Sequence, residues 1–155
     1  MDVAAATVKS LTRSFELLRK DLEALPEGAF THKFGPKTRT VADIVFEINL
    51  VNERVAREIR QEPAMEWPDD DWIRAPEGFD TKEVVLGALN DSASGLGTLA
   101  ESFTSEQLVE AIAGSGRTET TRVDRFRFIV LHNWYHSGQL NFIQTLIGDD
   151  GWHWE

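Results

Sequence analysis

Four stretches of this chain repeat apolar residues three and four apart, and each is bounded by a helix-breaking or helix-capping residue. That pattern allows little besides packed α-helices. The first stretch runs from Val3 to Leu25, with Leu11, Phe15, Leu18, Leu22 and Leu25 on one stripe, and Pro26 and Gly28 end it. The second opens at Thr40, where Asp43 completes a capping-box-like signal. It carries Ile44, Glu47, Ile48, Val51 and Val55 and stops near Gln61, before Pro63. The third starts at Asp80 or Thr81, with Glu83 near the capping position, and extends to about Ser102. Gly87, Gly95 and Gly97 inside it each cost up to about 1 kcal/mol against alanine, and they mark either close packing or a kink. A short helix from Thr104 to Ile112, a turn at Gly114-Ser115-Gly116-Arg117 and a polar, extended Thr118 to Thr121 follow. The fourth stretch runs from Arg122 to Ile147 and stops at Gly148. The expected fold is all-α, a four-helix bundle with long loops. Leu11, Phe15, Leu18, Ile44, Ile48, Val51, Ile129, Leu140 and Ile143 should lie inside it.

The 155 residues suit one domain, 1–155, with a full core, and 41% hydrophobic content is too high for a disordered chain. A net charge of −10 argues against a grip on nucleic-acid phosphates and against docking on anionic lipid. No apolar run is long enough to span a bilayer. Met1-Asp2-Val3 lacks the basic-then-apolar layout of a signal peptide, so a cytoplasmic protein is expected. The absence of cysteine removes disulfides, thiolate ligands and a cysteine nucleophile. Five tryptophans and nine phenylalanines are many aromatics for this length. Some should form an exposed patch that buries itself in a homodimer, with the first and last long helices the first places to look.

The chemistry lies in the last helix, which reads His132-Asn133-Trp134-Tyr135-His136-Ser137-Gly138-Gln139-Leu140. Two histidines four apart share a helix face, here with Ile129, Leu140 and Ile143, so both imidazoles point towards an apolar interior. Imidazoles buried there need partners, and a divalent metal satisfies both at once. A hydrogen-bonded pair of core histidines is the alternative. Glu47 supplies the candidate third ligand, because a carboxylate on an apolar stripe is costly without a partner. Two imidazoles and one carboxylate make a three-ligand site with open positions. Otherwise Glu47 is protonated, is paired with a histidine or Arg54, or faces solvent on a rotated stripe.

Other site types fail on spacing. A zincin needs glutamate directly after the first histidine, and Asn133 stands there. Di-iron bundles need Glu-x-x-His on two helices, and no histidine here has glutamate three residues before it. Phosphate loops and serine-hydrolase elbows are missing. Asp69-Asp70-Asp71 lacks EF-hand spacing and reads as a solvated loop.

The segment His132-x-x-x-His136-x-Gly138-Gln139-Leu140 resembles the signature of the DinB/YfiT-like metalloenzyme superfamily, the damage-inducible four-helix proteins. Thr40-Val41-Ala42-Asp43-Ile44-Val45-Phe46-Glu47-Ile48 resembles that family's second-helix motif, which usually has histidine where Glu47 stands. The resemblance implies a four-helix bundle with an unusual connection order, often dimeric. It also implies one divalent metal, nickel or zinc, held by three histidines, and thiol-dependent transfer or isomerisation with bacillithiol, mycothiol or glutathione. His132 and His136 carry over, while Glu47 is a departure. One mycothiol-dependent branch also uses two histidines and a glutamate, though with the glutamate at a different ligand position. A carboxylate ligand shifts preference towards harder ions, which brings manganese or iron into range.

Two functional expectations follow. In the first, Glu47, His132 and His136 hold a metal that converts a low-molecular-weight thiol to its nucleophilic thiolate, and Gln139 orients a ligand or substrate from one turn further on. Tyr135 and Trp134 are then packing or dimer-surface groups, and His32 and His153 are surface or rim groups. In the second, the bundle is degenerate and metal-free, and serves as a dimeric binding or stress-response accessory protein.

Overall fold

The computed structural model describes residues 2–68, 73–114 and 117–155. The acidic run Asp69-Asp70-Asp71 and the centre of the expected turn, Ser115-Gly116, lie outside them. Helix α1 is Val3–Ala24, followed by a 3₁₀ turn at Glu27–Ala29; α2 is Val41–Arg60 and α3 is Lys82–Glu101. A short α4, Ser105–Val109, leads to strands β1, Ala111–Gly114, and β2, Arg117–Thr121, and then to α5, Arg122–Leu146.

Side-chain caps fix where the helices start. The Asp2 carboxylate accepts from the Ala5 amide, and Thr81 caps α3. Full capping boxes open α2 at Thr40/Asp43, α4 at Thr104/Gln107 and α5 at Thr121/Asp124. Such caps contribute about 1 kcal/mol each. Asp43 does more, because its second oxygen accepts from the Ala75 amide at 2.9 Å and ties the segment before α3 to the start of α2. Gly87, Gly95 and Gly97 serve neither close packing nor a break. A Cβ at any of them would meet nothing within 4 Å, and α3 runs through all three.

Helices α1 and α2 each pack against both α3 and α5. Chain neighbours α1 and α2 therefore sit diagonally across the bundle. The core between the four helices holds all nine residues expected inside, from Leu11 to Ile143. Among the described residues no helix is long and apolar enough to cross a membrane.

The segment after α3 departs from expectation. The short helix ends at Val109 rather than Ile112, and Ala111–Gly114 pairs antiparallel with Arg117–Thr121. The cause lies far away in sequence. Gln61 closes α2 in the left-handed conformation, φ 57°. Its side-chain amide donates to the Ala113 carbonyl and accepts from the Ala113 amide, both at 3.2 Å. Only an extended segment offers both groups to one amide side chain. Gly114 gives the pairing room as well, since a Cβ would lie 3.2 Å from Thr120 Cγ2, tighter than an ordinary contact.

The α1–α5 seam is partly polar. Asn133 donates to Ser14 Oγ at 3.1 Å. Asp21, fully buried, accepts from Ser137 and, at 2.6 Å, from the Trp154 indole, and its carbonyl accepts from Gln144. Burial pushes the Asp21 carboxyl above the ordinary range, opposed by those two donors.

Leu18 is fully buried in this core. Leu18→Ala should lower the unfolding free energy by about 2–5 kcal/mol, read from the midpoint of a urea titration at unchanged slope.

Candidate metal centre

Helix α5 carries His132 and His136 one turn apart, and the turn geometry sets their rings edge to face with centroids 4.4 Å apart. Their Nε2 atoms face each other at 3.0 Å. His136 is fully buried, while His132 is half-buried and stacked under Phe128. Glu47 arrives from α2, which packs on α5. One ligand atom from each of Glu47, His132 and His136 lies within 4.8 Å of the others. The stripe is therefore not rotated to solvent, and the three groups converge.

Tautomers follow from donors that cannot be reversed. Arg39 can only donate, and it donates to Gln139 Oε1 at 3.2 Å. That fixes the Gln139 amide, so the contact of His136 Nδ1 with the same oxygen, at 2.9 Å, places a proton on Nδ1. The His136 Nε2 lone pair is then aimed at His132. The Gln139 amide nitrogen donates to the Tyr135 hydroxyl at 3.1 Å. Tyr135 is thus not simple packing. It is 61% exposed, its ring edge rests on His136, and it ends a hydrogen-bond chain that starts at Arg39.

Glu47 is ion-paired with Arg39, not with Arg54 or a histidine. Arg54 instead lies over Trp67 and near Glu58. Burial holds the Arg39 guanidinium below its ordinary value, opposed by the Tyr135 and Asp43 charges. His32 is exposed against Phe34, and His153 pairs with Asp149 in the C-terminal tail. Neither joins the cluster. Trp134 packs on Trp154.

The donor set fits a divalent ion. Two nitrogens bound at about 2.0–2.1 Å to one ion sit about 2.9–3.4 Å apart, the spacing range into which the two Nε2 atoms fall. Both imidazoles are neutral, as ligands must be. Burial, then the Arg39 and Arg54 charges, push His132 down to about 4. Burial, then His132, push His136 down to about 3. His132 Nδ1 is buried without a hydrogen-bond partner among the described residues.

The model of the DinB superfamily matches residues 10–140, most of the chain, including Glu47, His132 and His136. The chain belongs to the DinB superfamily. Two solved structures share this DinB fold. A DinB-like protein from Bacillus cereus is 15% identical, with a TM-score of 0.73 and coverage of 92% of this chain and 91% of that one. A conserved protein from Enterococcus faecalis is 16% identical, with a TM-score of 0.73 and coverage of 96% and 99%. No curated protein matches this chain.

Proton linkage tests the buried, neutral state of the pair. Both histidines ionise near 6.5 in the unfolded chain but only at about 4 and about 3 in the folded one. As pH falls through 6.5 the unfolded chain binds more protons, so stability declines from there towards the folded values. The melting temperature of chelator-treated protein should drop between pH 7 and pH 5. The double variant His132→Gln/His136→Gln should flatten that slope.

Proposed function

We propose that Glu47, His132 and His136 hold one divalent metal ion and that this DinB-superfamily chain is a metal-dependent enzyme of the thiol-transfer class. The facing of two neutral Nε2 atoms at 3.0 Å, with a carboxylate in reach, is the observation that supports it. Nickel and zinc suit the imidazoles, and the carboxylate extends the range to manganese and iron. A bound ion there supplies a position at which a low-molecular-weight thiol ionises to its nucleophilic form. The chain's own groups prepare that position. Gln139, held by Arg39, keeps the His136 proton on Nδ1 and its Nε2 lone pair available. Arg39 stabilises the Glu47 carboxylate. Phe128 stacks on His132.

The Arg39–Glu47 ion pair favours a second reading. There the glutamate charge is compensated within the protein, and the bundle acts as a metal-free binding protein. Elemental analysis after purification in buffers containing nickel and zinc separates the two. The metalloenzyme reading expects close to one ion per chain and its loss in His132→Ala, followed by turnover in a thiol-transfer screen. Protein that retains no ion under those conditions is the metal-free bundle.

We also infer that two copies pair through the seam of α1 and the first half of α5. Ala6 and Ser10 are exposed there and flank Val130 and Leu131, the latter 61% exposed, around a shallow apolar groove. Light scattering at micromolar concentration should give twice the 17.5 kDa chain mass, and Leu131→Glu should return it to a single chain.

A further inference from the structure

A groove of about 450 Å³ runs beside the second half of α5. Its walls are Phe34 from the loop before α2, Ile44 on α2, and Phe142, Ile143 and Leu146 on α5. Phe142 is 63% exposed and Leu146 is 47% exposed, so two large apolar side chains of one wall stand in water. The α5 side is open at Gly138, where a Cβ would meet no atom within 4 Å. Arg39, Tyr135 and Gln139 close the end nearest the histidines, and Lys37 stands on the lip.

Across the ridge Lys37-Thr38-Arg39 lies a second cavity of about 310 Å³, with Lys33, Lys37, Arg39 and Arg74 on its walls. Among the described residues Asp43 is the one acid lining it, and both its oxygens are engaged, one by the Thr40 amide and one by the Ala75 amide. Lys37 and Arg74 form no ion pair among the described residues. Lys33, Lys37 and Arg74 thus stand beside the apolar groove of a chain of net charge −10, with Arg39 already paired to Glu47. An apolar wall with a cationic lip is complementary to an apolar body that carries an anion. The same net charge opposes approach to an anionic membrane, which leaves a small, free ligand as the better match.

We propose that this face binds a small amphiphilic carboxylate. Its apolar body lies along Phe142 and Leu146, and its carboxylate sits at Lys37, in the field of Lys33 and Arg74. The proposal rests on the shape and charge of this face and not on metal occupancy. The ligand's inner end meets Arg39 and Gln139, the side chains that contact Glu47 and His136.

Decanoate and its neutral counterpart decanol are the probes, titrated calorimetrically into the full chain below the concentration at which decanoate forms micelles. Decanoate should bind at one site per chain, with decanol weaker by about tenfold for want of the charge-assisted contact. Lys37→Glu should remove that preference and leave decanol binding unchanged. Phe142→Asp should weaken both ligands, and His132→Ala should weaken neither. The last variant separates this site from the metal reading. Equal binding of the two probes, or no saturable binding, overturns the proposal. So does a Phe142→Asp chain that binds decanoate normally but changes mass in sedimentation, which would make this face a contact between copies. Retention on phosphatidylglycerol vesicles that decanoate does not compete away would assign the cations to a lipid surface instead.

Discussion

Helix α5 buries polar groups among its apolar ones and leaves several large apolar side chains exposed, and the bundle is arranged to satisfy the buried polar set. Asn133, His136, Ser137 and Gln144 are buried, while Leu131, Tyr135, Phe142 and Leu146 stand out in solvent. An ordinary amphipathic helix seats itself by apolar burial alone. Here each inward polar group needs a partner, because an unsatisfied one costs about 1–3 kcal/mol. Ser14 and Asp21 on α1 take up Asn133 Nδ2, Ser137 and Gln144 on one side, and the Arg39–Gln139 pair takes up His136 on the other. The rotation of α5 about its axis is thereby fixed on two flanks, and the two imidazoles are held facing α2.

The helices and half of the site were legible because both depend on short-range spacing. Leu11, Phe15 and Leu18 announce a stripe by their intervals, and Thr40 with Asp43 announces a helix start. His132 and His136 share a face for the same reason. Asp21 was legible in principle, since Leu18, Asp21, Leu22 and Leu25 fall at helical intervals on one buried face, but an acid in an apolar row is easily passed over. The hairpin was not legible, because the amide of Gln61 reaches it across 52 residues. Arg39 was hidden in the same way. It precedes the cap of α2 in an irregular loop, where no period applies, and its guanidinium meets α5 only after folding.

Glu47 gains its meaning from that loop. A glutamate on an apolar stripe is expensive, and the chain meets the cost with a guanidinium that also braces Gln139. One arginine therefore links the carboxylate of α2 to the imidazole of α5. The arrangement gives the carboxylate a cationic partner and holds the His136 proton in place without any contribution from outside the chain.

The C-terminal tail has an optical consequence. Trp154 meets Trp134 edge to face with centroids 5.3 Å apart and Trp152 at a tilt at 4.9 Å, and its indole nitrogen is held by Asp21. Three of the five tryptophans thus form one cluster where the tail lies against the middle of α5. Their near-ultraviolet circular dichroism and fluorescence report the seating of the tail on Asp21 rather than the packing of Leu18 or Ile129 deeper in the bundle. Emission and far-ultraviolet ellipticity are consequently probes of different parts of this molecule. A tail that lifts before the helices melt separates their transitions, although the chain beneath it unfolds as one unit.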